Sequence, residues 1–355
     1  MAHIGPEHPV DGVDHMVKLR PDREMGSEWT VLSVTTVGAL LASVQSSALL
    51  IALPDIMTSL HADFLTVLWM LLSYLLITTA MLPIVGRLAD MFGRKRLYIL
   101  GFVVFTLGSL LCGLASPTFH GWDLVGYRIV QGLGGALMIA NSTAMVADAF
   151  DHRRLGLGLG INQIAGAAGL ILGPVIGGLL MPFGWEWVFL FNVPFGIFGA
   201  VWGYLRLREP ISMPKGQSFD WPGAITFSIG MTALLLATSL IAFPILSMEI
   251  VYMLFAIGIL GLAFFLYLET RTDHPMIDLG LFRIRDFALG NLNNLLLALA
   301  RGALMFLIIF FLQGPYGMDP LTAGLSLIPF GLSFMIVGPI SGHLSDQHGA
   351  RNSFC

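Results

Sequence analysis

Ten apolar segments occupy most of this chain, at roughly 29–54, 64–86, 97–116, 122–148, 156–182, 187–205, 221–247, 250–268, 287–313 and 321–341. Each approaches or exceeds the about 20 residues that a helix needs to cross hydrocarbon. Within a bilayer every backbone N–H and C=O must be satisfied internally, so only helices and closed barrels span it. A barrel would show short strands of alternating hydrophobicity instead. The fold class is therefore all-α integral membrane. Composition agrees, with 11% charged residues and a mean hydropathy of +0.81, against about 25% charged in soluble domains.

The eighteen Lys and Arg residues set the orientation of these spans. Lys18, Arg20 and Arg23 precede the first span. Arg87, Arg94, Lys95 and Arg96 follow the second, and Arg153 and Arg154 the fourth. Arg206, Arg208 and Lys215 follow the sixth, Arg271, Arg283 and Arg285 the eighth, and Arg351 the tenth. Connections after odd-numbered spans contain none. Since cytoplasmic loops carry the basic excess, the tail and the even-numbered connections are expected in the cytoplasm. Stretches 54–57 (PDIM) and 271–287 read as loop and interfacial segments.

One charged turn is repeated. GRLADMFGRKR at 86–96 is echoed by GHLSDQHGAR at 342–351. The shared pattern holds Gly86, Asp90, Gly93 and Arg94 in the first copy. A topology anchor requires bases alone, whereas this pattern also keeps an acid and two glycines. Glycines permit a tight turn or close helix approach, and the acid and bases can pair with one another or with a neighbouring helix. A repeat of this kind marks two equivalent halves of a helix bundle.

Only Arg128 and Arg301 place a basic charge inside a span. Such a charge costs about 2.5–3.5 kcal/mol on the insertion scale and marks a functional candidate. For Arg128, followed by Gln131, the other reading is snorkelling to the outer interface. Arg301 lies mid-span, where a water-filled cavity, an acid on another helix or an anionic ligand could meet it. In the fifth span Gly166, Gly169, Gly173 and Gly177 share one face, beside Pro174 and Gly178, and suit close helix packing. Cys112 and Cys355 offer no disulfide framework or thiolate metal site. With no Walker loop, ATP-driven transport is not expected. No metal site, cofactor, nucleic-acid partner or catalytic set is expected either.

Taken together, these stretches resemble the major facilitator superfamily. GRLADMFGRKR resembles its helix 2–3 loop signature, YRIVQGLGGA (127–136) its helix 4 motif and GAAGLILGPVIGG (166–178) the antiporter motif of helix 5. WEWVFLFNVPFG (185–196) and FDWPGA (219–224) are similar to stretches of the fourteen-helix drug:proton antiporters.

The resemblance implies a cytoplasmic tail at 1–28 and a first six-helix bundle at 29–205. A linker at 206–220, two extra helices at 221–268 and a linker at 269–286 follow. Residues 287–355 would supply the first two helices of a second bundle, so about ten of fourteen helices are expected and the chain reads as truncated. The implied function is proton-coupled efflux of drugs or amphipathic small molecules across the cell membrane by alternating access. A small-metabolite importer and a non-transporting fragment are the alternatives.

The same resemblance pairs Arg94 with Asp148, sets Asp90 against a second-half helix, and gives Arg128 a part in coupling or substrate contact. The family's helix 1 aspartate is replaced by Gln45, which cannot carry a proton near neutral pH. No Asp, Glu or His lies mid-span. The polar groups Gln45, Arg128, Asn141 and Asn162 are expected on path-lining faces, open to lipid or a water-filled cleft.

Overall fold

The computed structural model of the chain describes residues 26–151, 154–208, 220–242, 247–272 and 279–313, with scattered positions between 315 and 337. Among these residues the regular structure is helical, without strands. Helices α1 (Gly26–Ser59), α2 (Phe64–Phe92), α3 (Arg94–Cys112), α4 (Trp122–Ala149) and α5 (Leu155–Leu180) follow the first five spans. The sixth is divided into α6 (Trp187–Leu190) and α7 (Asn192–Arg206). Pro194 has no N–H for the Leu190 carbonyl four residues back, which accounts for the break. Then come α8 (Trp221–Ala242), α9 (Met248–Glu269) and α10 (Arg285–Gln313). Eight of the described helical segments are long and apolar enough to cross a membrane.

Residues 54–57 are helical, not a loop. Pro54 adopts a helical φ and forfeits one hydrogen bond. The extra turns are held because they bury Ile56 and Leu60 in the apolar cluster that also contains Trp185 and Phe189. Of the expected interfacial stretch, 273–278 lies outside the described residues and Leu279–Arg283 forms a short 3-10 turn. The second copy of the charged turn, 342–351, also lies outside them.

Helices α1 to α7 form one bundle. Its main contacts are α1 with α5, α3 with α4, α2 with α4, and α3 with α7. One apolar cluster joins the end of α1 to Met70, Cys112, Leu124 and Phe189. A second gathers Val34, Tyr74, Tyr98, Phe102, Phe105, Met138 and Met145 nearer the other membrane face. The α8–α9 hairpin crosses at Gly230, Gly258 and Gly261 and leans on α2. Helix α10 is exposed along its described length and touches the 3-10 turn before it.

Two seams within the bundle depend on missing side chains. A methyl on Gly173 would come within 2.7 Å of the Val44 carbonyl, and one on Gly169 within 2.7 Å of that of Leu40. The glycine stripe of α5 therefore lies directly on the α1 backbone. On the other side, a methyl on Gly134 would sit 2.6 Å from Phe105 Cα, and one on Gly108 2.6 Å from Gln131 Cα. That seam brings α3 and α4 close enough for short polar side chains to meet.

Candidate functional site

The charged turn is organised around Arg94. With φ 102°, Gly93 separates α2 from α3 in a conformation L side chains rarely adopt, and its N–H bonds the Ala89 carbonyl at 2.9 Å. The turn throws Arg94 back over the end of α2. Its Nη2 and Nε donate to Asp90 Oδ1 at 2.9 and 3.2 Å. Its Nη1 donates to Asp148 Oδ2 at 2.5 Å and to the Ala144 carbonyl at 3.1 Å. One planar guanidinium thus fastens the start of α3 to the ends of both α2 and α4. The side chains are partly solvated, at 21% exposure for Arg94 and 40% for Asp148, so each pair contributes modestly, about 0–1 kcal/mol. Their use lies in geometry rather than in bulk stability.

Beside this clasp is a cavity of about 300 Å³ lined by Gly86, Arg87, Asp90, Arg94, Asn141 and neighbouring residues of α2 and α4. Gly86 does not mediate a close approach here. A methyl there would meet nothing within 4 Å, because the position opens onto the cavity.

Arg128 does not snorkel. It is 1% exposed and wedged among α2, α3 and α4 at the junction of the two apolar clusters. Its Nε donates to the Met70 carbonyl at 3.0 Å and its Nη1 to Gln131 Oε1 at 2.6 Å. Its guanidinium lies 4.3 Å from the centre of the Tyr74 ring. Gln131 Nε2 then donates to Ser109 Oγ at 2.7 Å, whose hydroxyl donates to the Phe105 carbonyl at 2.8 Å. The positive charge rests on a ring face and on carbonyl dipoles. Desolvated cation–π contacts reach about 2 kcal/mol, on the order of the insertion cost.

The expectation that Gln45, Arg128, Asn141 and Asn162 open to lipid or a cleft is corrected: their exposures are 0%, 1%, 1% and 8%, although Asn141 borders the cavity beside the clasp. The bundle satisfies much of their polarity by itself. Gln45 Oε1 accepts from Asn192 Nδ2, which also donates to the Val188 and Phe189 carbonyls. Asn162 Nδ2 donates to Ser142 Oγ at 2.9 Å, and Asn141 Nδ2 to the Leu137 carbonyl at 2.7 Å.

Of the α5 stripe, Gly169, Gly173 and Gly177 are buried against α1, while Gly166 makes only an ordinary 3.5 Å contact with Ser43. Ser47 Oγ donates to the Gly169 carbonyl at 3.3 Å across this seam. Pro174 and Gly178 are half-buried. Arg301 lies in α10, with its side chain outside the described residues. Sequence reasoning missed Tyr74, Ser109 and Asn192. Close glycine spacing in GLGG (132–135) was the available sign that α4 meets two helices at Arg128's level.

The family model described as Major Facilitator Superfamily matches residues 35–355. The riboflavin transporter RibZ of Clostridioides difficile is 32% identical over 332 residues, covering 92% of this chain and 70% of that protein. The tetracenomycin C resistance and export protein of Streptomyces glaucescens is 32% identical, over 91% of this chain and 60% of its own length. A putative multidrug resistance protein, MdtD of Escherichia coli, is 32% identical over 93% and 69%. Among solved structures, the proton:xylose symporter XylE superposes with a TM-score of 0.59 at 13% identity, over 91% of this chain and 70% of that one, a likeness of fold.

Proposed function

Because this chain belongs to the Major Facilitator Superfamily, we propose that it is a secondary transporter exporting amphipathic small molecules from the cytoplasm by alternating access, with protons as the coupling ion. The single observation that carries this reading is the Arg94 clasp, which joins α3 to the ends of α2 and α4 through side-chain contacts that a small tilt would break. Contacts that exist in one arrangement and not in another bias a two-state equilibrium. The glycine seam between α1 and α5 supplies a surface along which helices can slide without side-chain interlock.

Export agrees with the names of the tetracenomycin and multidrug relatives. A second reading, transport of a specific metabolite, is favoured by the relative named as a riboflavin transporter. In the proposed cycle Gln45 carries no proton, since it is an amide bonded to Asn192. Arg128 orders the junction of α2, α3 and α4 rather than touching substrate in this arrangement. The 206–220 linker and the basic ends of the helices face the cytoplasm of a cell membrane.

Cells preloaded with an amphipathic fluorescent compound test this. Expression should speed loss of the compound, and collapsing the proton gradient should abolish the difference. Faster accumulation on expression, or loss insensitive to the gradient, would contradict the proposal.

A further inference from the structure

We propose that the seam between α3 and α7 binds an anionic phospholipid, its phosphate held at the basic end of the two helices. On α3, Leu100, Val103 and Leu107 form one exposed stripe, and Arg96 continues it at the helix start. On α7, Ile197, Val201 and Tyr204 form the neighbouring exposed stripe. Arg208 follows two residues past the helix end, beyond the extended Leu207, and is also exposed. The two stripes are brought together where Lys95 Nζ lies 5.6 Å from the centre of the Tyr204 ring. An apolar track thus runs directly into a basic patch at the level where headgroups lie.

The charge at this end is lopsided. Lys95, Arg96, Arg206 and Arg208 gather there, and the sequence adds one acid, Glu209. Arg94 is committed to Asp90 and Asp148, whose two carboxylates outnumber it by one charge, and the four bases still exceed that charge and Glu209 together. Guanidinium forks match phosphate oxygens bidentately. Tyr204, 69% exposed, has the amphipathic ring that favours the interface. A soluble phosphate compound would use the cations and leave the apolar track idle. A two-chain lipid with a phosphate headgroup engages both parts, and a net anionic headgroup matches the surplus positive charge. This is the leaflet that the basic loops assign to the cytoplasm.

The test uses the full chain, purified from vesicles of phosphatidylcholine containing a minority of phosphatidylglycerol, with retained lipid counted by native mass spectrometry. Phosphatidylglycerol should be retained in preference to phosphatidylcholine. Arg96→Gln and Arg208→Gln should each cut that preference, roughly fivefold per charge removed near an anionic surface. Arg96→Lys should keep most of it, which separates loss of charge from misfolding. Arg271→Gln, at the comparable cation–ring pair with Tyr267 on α9, should leave it unchanged. An equal fall with Arg271→Gln would overturn the proposal, because retention would then track total basic charge. So would release of the lipid by millimolar-range inorganic phosphate alone, which would identify a bare phosphate site.

Discussion

Arg128 holds its place through shape as much as charge. Its flat guanidinium stacks on Tyr74 while its edge serves Met70 and Gln131 in different directions. A lysine keeps the charge but has neither plane nor fork. Arg128→Lys should therefore lower the thermal unfolding temperature in detergent clearly, with hydrogen bonds to a charged group worth about 1.5–3 kcal/mol. A lysine variant as stable as the parent would mean that charge alone is needed. The amide pair in α1 and α7 gives an asymmetric expectation. Asn192 keeps two carbonyl partners if Gln45 is lost, whereas Gln45 Nε2 has no hydrogen-bond partner and Oε1 depends on Asn192. Asn192→Leu should thus destabilise by about 1–3 kcal/mol and Gln45→Leu by less. The reverse order in thermal unfolding would show that the carbonyl contacts, not the amide pair, carry little.

The helices owe their positions to a few local devices. At the α3–α4 seam Gly134 faces backbone, which cannot swing aside as a side chain can. Gly134→Ala should cost on the order of 1–3 kcal/mol through forced separation, and would draw Gln131 away from Ser109. An alanine variant of parental stability would show that the seam is looser than a 2.6 Å approach to Phe105 Cα requires. At the start of α2, the Asp63 carboxylate accepts from the backbone N–H of Thr66 at 2.8 Å and from its hydroxyl. These bonds hold its pKa below the ordinary 3.8. Because the folded value is depressed, the contribution is present above the ordinary value and lost as pH falls through the lowered one. The stability gap between parent and Asp63→Ala, about 1 kcal/mol for a helix cap, should hold at neutral pH and close in strong acid. A gap that persists unchanged in acid would contradict a carboxylate cap.

The first nine spans were legible because hydrophobic length reports on a bilayer, while the tenth, 321–341, lies largely outside the described residues. The α5 stripe was legible because four glycines fall at helical spacing. PDIM misled because proline and aspartate resemble a loop, whereas burial of Ile56 and Leu60 decides the matter only once Trp185 and Phe189 are in place. Tyr74 and Ser109 could not be foreseen as partners of Arg128 and Gln131, since they come from helices whose approach is set by Gly108, Gly132 and Gly134. The burial of the polar set follows from pairing across helices, which no single span displays.

At the scale of the whole bundle, Arg94 fastens the ends of α2 and α4 in this arrangement, and the proposed cycle releases them in the other. The most direct measurement is a charge exchange scored by export of a fluorescent amphipathic compound at matched membrane levels. Arg94→Asp and Asp148→Arg should each lose most of the transport, and the double exchange should regain a substantial part. A double variant no better than either single one, while inserted and folded normally, would reduce Arg94 to a topology anchor and contradict the clasp.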